Sequence, residues 1–581
     1  MEGRNSVTKF FAQNGVAEVL VCAVTALAYL GTLSFGFVYD DKPAIVENAG
    51  IRSWRSLAHC FLPQISAGIA QPAGESFFRP VTFVWLRLNY AFFGLNPAGW
   101  HFAMLAGHVL MTYMVFALVK RLAGNRNTAA VAGILFGLHP VHVENVVWLS
   151  SVNDLLMSVL LVGSFIAYLK FRDGEKIWMM TSVLLFGLAL VSKETAAAFP
   201  LLIVGFAIIF ARSCTDESAG LWRLLKEGYV AIPYLIVLVM YLAARLTMLH
   251  GFGKTLAPLS WTTMALTWPS VIWFDLKHLL LPISSSEFYS LVYVTAPGVG
   301  SLLRPVFFLL VAFVAAGYWI SKLPNSRLGL LTLLWVLVPI VPTLYLRVIA
   351  PDNFVHDRFL YLPSVGIVIL MALAVEQISA SKMLAGSGAV VRWAMVALLC
   401  AAAFAGTLSH QMQWASNLLL YQNGIKSAPQ NLVVQDNLAN ELAGLGRYDV
   451  AVPLYLNALQ HNPRFWPANY NLGYAYYRIG RFAEAEEYLS RAIQIDDQDG
   501  DEFIFLARAQ MEQGKLEQAT QNAERALQLA PQSPGFHLVL AKILEDSGKR
   551  EQAIAEYKTE VLYHPENAVA RGELQRLQAS Q

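Results

Sequence analysis

Residues 16–41 read VAEVLVCAVTALAYLGTLSFGFVYDD: an apolar stretch from Val16 to Val38 with one acid, Glu18, and then the adjacent carboxylates Asp40 and Asp41. The apolar part is long enough to cross a bilayer, and the acid pair falls where it ends. Two readings of the pair are open. The carboxylates end a helix in solvent, or they place a general base or a metal ligand at the membrane surface.

Outward from this stretch, composition sets the class. Over 581 residues the chain is 56% hydrophobic and 14% charged, with a mean hydropathy of +0.47, so it is not an ordinary soluble protein. Apolar runs dominate from 16 to 410. From 411 onward the chain is rich in Glu, Gln, Ala and Arg and holds no run that spans. A net charge of +2 gives no sign of nucleic acid, and none is expected as a partner. No cleavable signal is recognised, so the first span is expected to stay as an anchor. The four cysteines, Cys22, Cys60, Cys214 and Cys400, form no close pair, which argues against a disulfide framework or a zinc site.

Eleven apolar runs are expected to span: 16–38, 98–119, 129–149, 152–169, 177–195, 196–211, 229–247, 302–321, 328–347, 360–377 and 389–409. Lys120, Arg121, Arg126, Lys170, Arg172, Lys176, Arg212, Arg223, Lys226, Lys322, Arg327 and Lys382 then share one side. The opposite connectors hold fewer cations, chiefly Lys193, Arg347 and Arg358. By the positive-inside rule the N-terminus (1–15) is cytoplasmic and the C-terminal half lies outside. Residues 261–281 and 80–94 carry polar groups among their aromatics and read as interfacial or re-entrant helices on the outer face.

The C-terminal half repeats with a 34-residue period. In frames starting at 432, 466, 500 and 534, the eighth residues are Ala439, Gly473, Ala507 and Ala541. The fifteenth are Gly446, Gly480, Gly514 and Gly548, and the twentieth are Ala451, Ala485, Ala519 and Ala553. Pro463, Asp497, Pro531 and Pro565 close the frames. This is the tetratricopeptide pattern, small residues where paired helices cross and Gly in the turn between them. Residues 411–431 read as a linker or half-repeat, 432–567 as four repeats and 568–581 as a capping helix. Asn437, Asn440, Asn469, Asn471 and Tyr474 lie on first helices, which line the groove of such arrays. They are either groove residues for a peptide acceptor or solvated helix positions.

Ionisable groups near spans are costly and mark function. They gather at Asp40-Asp41, Arg79, His139-Pro-Val-His142-Val-Glu144, Asn153-Asp154, Lys193-Glu194 and His356-Asp357-Arg358. Pro140 is expected to break its helix and leave His139, His142 and Glu144 facing a cavity. The spacing HxxHxE is not the HExxH of zinc proteases, so hydrogen bonding to substrate or carboxylate is preferred over a metal. In the topology above every cluster falls on the same face.

Several stretches carry a resemblance: Phe37-Val-Tyr-Asp-Asp-Lys-Pro-Ala-Ile45, Phe78-Arg-Pro80, Leu138-His-Pro-Val-His-Val-Glu144, Ser192-Lys-Glu-Thr195 and Asp357-Arg-Phe-Leu-Tyr-Leu-Pro-Ser364. With the repeats they cover nearly the whole chain. Their order resembles the transmembrane and tetratricopeptide-repeat protein O-mannosyltransferases, a branch of the GT-C glycosyltransferases, and a bacterial member is expected. The resemblance implies an all-α fold, a GT-C-like helical bundle over 16–410 followed by an α-solenoid. It also implies sugar transfer, mannose being the family's sugar, from a polyprenyl-phosphate donor to a hydroxyl acceptor, Ser or Thr of a protein, outside the inner membrane.

Such a reaction needs a base for the acceptor proton and cations for the departing phosphate. Asp41, backed by Asp40, is expected to be the base. Arg358, helped by Lys193 or Arg79, is expected to grip the phosphate. His139, His142, Glu144, Glu194 and Asp154 complete the expected donor site. No cofactor is called for; a divalent cation is allowed but not expected. A non-catalytic membrane scaffold bearing repeats is the rival reading, and a transporter is disfavoured because the polar clusters sit at span ends.

Overall fold

In a membrane each backbone N–H and C=O must be satisfied within its own segment, so apolar runs become helices. A computed structural model describes residues 15–56, 78–211, 228–249, 257–283, 285–351, 353–381 and 387–579; these are helices and connecting turns, with no strand among them. Cys60 and Cys214, most of the N-terminal tail, and the basic residues Arg212, Arg223, Lys226 and Lys382 lie outside the described residues. So do residues 57–77 of the first long loop and the last two residues of the expected cap. The chain forms two compact units, one through Leu420 and one from Tyr421.

In the first unit the expected count of eleven spans is not confirmed. Among the described residues seven helical segments are long and apolar enough to cross: Val16–Ser34, Pro97–Ala123, Leu149–Arg172, Tyr229–Thr247, Val299–Ser321, Ser326–Leu344 and Gly388–Ala415. An eighth is formed if Arg126–Gly137 and Pro140–Val147, bent by 50° at the break, count as one. The break falls at Pro140, as its missing N–H requires. Three further apolar runs fold as the shorter helices Ile177–Leu190, Glu194–Ile209 and Ser364–Ser379. At about 1.5 Å per residue these fall short of a ~30 Å hydrocarbon core when taken alone.

Close approach is built into the bundle by small residues. A Cβ on Gly366 would meet the backbone oxygen of Thr332 at 2.4 Å, so the helix Ser364–Ser379 packs backbone to backbone on Ser326–Ile340. Glu18, the one acid of the first span, pairs with Lys120 at 3.4 Å and also with Arg126. It therefore sits with the basic connector that follows the second span, away from Asp40 and Asp41.

The second unit is the expected repeat array. Helix pairs run Leu432–Gly444 with Tyr448–His461, Trp466–Arg478 with Phe482–Ile495, Gly500–Glu512 with Leu516–Leu529, and Phe536–Asp546 with Arg550–Tyr563. Ala568–Ala579 closes the series. The turn glycines Gly446, Gly480, Gly514 and Gly548 have φ of 73–77°, a conformation that other residues adopt at a cost. The alanines at 451, 485, 519 and 553 are each 0% exposed, which is why nothing larger fits where the paired helices cross. A recurring stitch ties three of the four repeats to the turn before them. Gln435 and Asn469 donate to the carbonyls of Pro429 (2.7 Å) and Pro463 (3.1 Å), and His537 Nε2 lies 3.1 Å from that of Pro531.

Candidate active site

The turn bearing the acid pair is conformationally unusual. Tyr39 has φ of 53° and is the one non-glycine with positive φ among the described residues. Its N–H donates to Asn417 Oδ1 at 2.8 Å, and its ring lies 5.6 Å from Trp148 and 6.0 Å from Phe288. Backbone strain of roughly 1–3 kcal/mol persists only where such neighbours hold it, and it concentrates at functional sites.

The strained turn gives the two aspartates different surroundings. Asp41 is 0% exposed. Its Oδ1 accepts from the N–H and the hydroxyl of Ser150 at 2.9 and 2.7 Å, and its Oδ2 accepts from the Val38 N–H at 3.2 Å. Burial pushes its carboxyl up to about 7 against the pull of these donors, and the neighbouring Asp40 charge adds to the rise. Asp40 is half-buried, and its charge is felt at Glu287.

From Asp41 a continuous polar network runs through the site. The residue after its partner, Ser151, donates to the backbone oxygen of Glu144 at 2.8 Å. Glu144 is 3% exposed and accepts twice from Arg358: from its N–H at 3.0 Å and from Nη1 at 2.6 Å. The Arg358 guanidinium also reaches Glu287 at 3.4 Å and lies 4.8 Å from the Trp148 ring, with 18% of its side chain exposed. Phe359, beside Arg358, carries the Lys193 ammonium 4.9 Å from its ring centre. Lys193 donates to both oxygens of Asp154 at 2.6 Å. Burial lowers its pKa, and of its neighbours Asp154 opposes that shift while Arg79 and Arg358 add to it. Next along the chain, Glu194 is held by Arg79 through two bonds of 2.8 and 3.2 Å, and Arg245 lies 3.7 Å from it.

Asp40, Asp41, Glu144, Asp154, Lys193, Glu194, Arg79 and Arg358 therefore meet in one place, although 318 positions separate Asp40 from Arg358. His139 and His142 do not join them. His139 Nε2 lies 3.0 Å from the Leu279 carbonyl, and His142 Nε2 lies 2.8 Å from the Ser364 hydroxyl. The His142 ring is packed among Phe136, Tyr361, His108 and His139 at 4.4–5.4 Å. The expectation that both face a cavity is corrected: they pin the broken helix to its neighbours.

Two site residues escaped the sequence reading. Ser150 shows no signal beyond its place after the HPVHVE block. Glu287 does show one: it is the only acid between Asp275 and Asp352, stranded in an apolar stretch. It is 2% exposed, and burial beside Glu144 pushes its carboxyl well up. Asp357 accepts from Tyr289 at 2.8 Å and from Ser285, and burial pushes it to about 7.

In the repeats the expected groove set is also redistributed. Asn469 is 0% exposed and committed to the Pro463 and Phe465 carbonyls, so it is a structural residue. Asn440 and Asn471 both donate to Asp436, at 3.3 Å and at 3.0–3.1 Å. Tyr474 packs against Phe505 with ring centres 4.8 Å apart and accepts from Arg478 at 2.8 Å. Asn437 remains half-buried on the same first helix as Asn440.

Residues 78–225 match the dolichyl-phosphate-mannose-protein mannosyltransferase family model, and residues 437–500 and 510–579 match tetratricopeptide repeat models. Protein O-mannosyl-transferase TMTC3 of Mus musculus is 24% identical over 469 residues, covering 75% of this chain and 50% of that relative. Protein O-mannosyl-transferase F38B6.6 of Caenorhabditis elegans is 26% identical over 443 residues, 74% of this chain and 61% of that one. The chain thus spans about half the length of the first curated relatives it matches. Among solved structures, the tetratricopeptide protein YrrB, titled as having an unusual peptide-binding site, is 19% identical over 28% of this chain and 82% of its own, with a TM-score of 0.25. The chain thus joins a membrane unit, part of which matches the mannosyltransferase family model, to tetratricopeptide repeats, and it resembles the transmembrane and tetratricopeptide protein O-mannosyl-transferases.

Proposed function

We propose that the chain transfers a sugar, mannose by the names of its relatives, from a polyprenyl-phosphate donor to a Ser or Thr hydroxyl of a protein. The observation that carries this reading is the nearness of two groups: Asp40 adjoins the network's Asp41 and bears on Glu287, which Arg358 contacts. Asp40 is a half-buried carboxylate on a strained turn, and Arg358 is a guanidinium with an exposed edge, held by Glu144. A transfer of this kind needs a base on one side of the anomeric carbon and a cation for the phosphate on the other.

Asp40 takes the acceptor proton as the hydroxyl oxygen attacks the anomeric carbon, and the bond to phosphate breaks with inversion. This reverses the order read from sequence, because Asp41 is fully buried with both oxygens occupied. Asp41 then acts by holding the turn that aims Asp40. Arg358 receives the phosphate, with Arg79, equally accessible at 18% side-chain exposure, as a second cation. Lys193 is saturated by Asp154 and contributes positive potential. The donor's lipid tail stays in the bilayer, which is why the reaction is housed among spans. In this reading the protein sits in a bacterial inner membrane with its N-terminus cytoplasmic and its repeats periplasmic. Asn437 and Tyr474 are the groove residues offered to the acceptor.

The test is reconstitution. The purified chain is given a polyprenyl-phosphate [³H]mannose and a periplasmic protein extract. Label on Ser or Thr that depends on Asp40 supports the proposal. Label confined to glycan or lipid moves the acceptor to another class, and no transfer with any polyprenyl-phosphate hexose removes the enzymatic reading.

A further inference from the structure

We infer that Glu144, Glu287 and His356 form a divalent-cation site beside Arg358. One ligand atom from each lies within 4.8 Å of the others, and the three side chains are 3%, 2% and 4% exposed.

Two features point at a ligand between them. Glu287 Oε2 and His356 Nδ1 are buried without any hydrogen-bond partner. Leaving such atoms bare costs roughly 1–3 kcal/mol each. The second feature is the direction of the imidazole. A backbone hydrogen bond to Asn353 occupies one ring nitrogen of His356, which leaves the bare Nδ1 lone pair facing Glu287 Oε1 at 3.5 Å. A lone pair aimed at a carboxylate oxygen is repulsive unless a proton or a metal cation lies between them. A histidine whose far nitrogen donates to a backbone carbonyl is also the usual arrangement of a metal ligand.

The frame around the triad is rigid. Asn353 donates to the Glu287 backbone oxygen at 3.1 Å, and Asn145 donates to that of Arg358 at 3.3 Å. Ligand bonds of about 2.1 Å place donors of a tetrahedral site about 3.4 Å apart, so modest closure of the triad completes it. Two carboxylates and one imidazole form a mixed oxygen and nitrogen set that suits Mn²⁺ or Zn²⁺ better than Ca²⁺. A divalent ion held here with coordination positions open would offer an anionic phosphate oxygen a place to bind.

The test needs neither donor nor acceptor, so its outcome is separate from that of the transfer reaction. Full-length protein in detergent is stripped with chelator and titrated with Mn²⁺, followed by electron paramagnetic resonance, and with Zn²⁺, followed by metal content after gel filtration. The expected result is one saturable equivalent per chain for at least one of the two ions. Glu287→Gln and His356→Ala are each expected to weaken it at least tenfold. Glu502→Gln, in the repeats, leaves it unchanged. Absence of saturable binding by the unaltered chain overturns the inference without reliance on any variant. Unchanged affinity in both ligand variants overturns it equally and leaves the two glutamates sharing a proton.

Discussion

Ser150 donates twice to one oxygen of Asp41, from its backbone N–H at 2.9 Å and from its hydroxyl at 2.7 Å. The contact joins the end of the first span to the segment between the broken third helix and the next span. In the proposed mechanism Asp41 is a brace, and the half-buried Asp40 is the carboxylate that meets the substrate. Asp40→Asn keeps size but cannot accept a proton, so turnover is expected to fall by about 10²–10⁴-fold with donor affinity retained. Asp41→Asn and Ser150→Ala act through the turn and are expected to cost less, about tenfold, and not to add when combined. Single-turnover transfer rates with donor titration check this. A large loss at Asp41 with little at Asp40 restores the order read from sequence.

Lys193 and Asp154 form a pair in which both side chains are under a tenth exposed. Taking away one partner strands a buried charge, so Asp154→Ala is expected to cost about 3–5 kcal/mol. The loss is sharpened because Arg79 and Arg358 already repel the ammonium. Replacing both, Lys193→Met with Asp154→Leu, is expected to recover most of that stability. Thermal unfolding in one detergent compares the three proteins. A double variant as unstable as Asp154→Ala means that the pair is required for more than charge balance.

Arg358→Ala is expected to weaken donor binding by about 30-fold or more, the usual loss when one side of a buried charged contact is removed, and Arg358→Lys by less. Arg347 is the control. Its guanidinium donates to the Leu259 carbonyl at 2.7 Å and lies over Trp261, outside the network. Equal donor affinity in Arg358→Ala and Arg347→Ala removes the phosphate from Arg358. Because Arg358→Ala also strands Glu144, folding is checked by gel filtration before any affinity is read.

The repeats were fully legible, since a 34-residue period with Gly and Ala in phase needs only one kind of helix pair. The acid pair, Glu144, Lys193 and Arg358 were legible because charges beside apolar runs are costly and stand out. What composition does not reveal is direction. His139 and His142 look alike to Glu144 on the page, but the turn at Pro140 sends the two rings inward against Leu279 and Ser364. The different surroundings of Asp40 and Asp41 go with one positive φ at Tyr39, which no residue type announces. The span count stays unconfirmed for a related reason: an apolar run shows where a helix lies in lipid but not where it ends. Glu287 was a readable signal that went unread, a lone acid in a long apolar stretch.

Asp436 supplies a prediction that the membrane half does not touch. It is 4% exposed on the helix Leu432–Gly444, and burial pushes its carboxyl up to about 6, against donors from Asn471 and Asn440 that favour the ionised form. The folded value exceeds the unfolded one, near 3.9, so the folded state binds the proton more tightly. Its stabilising contribution is complete below about pH 4 and is lost as pH rises through about 6, a change of at most about 3 kcal/mol. Hydrogen exchange of helices 432–444 and 448–461 in the full chain, corrected for intrinsic rates, is expected to show protection falling between pH 4 and 7. Asp436→Asn keeps the shape without the charge and is expected to flatten that slope. If protection instead rises with pH, the asparagine donors outweigh burial, and Asp436 is an ionised hub that locks the first two repeats together.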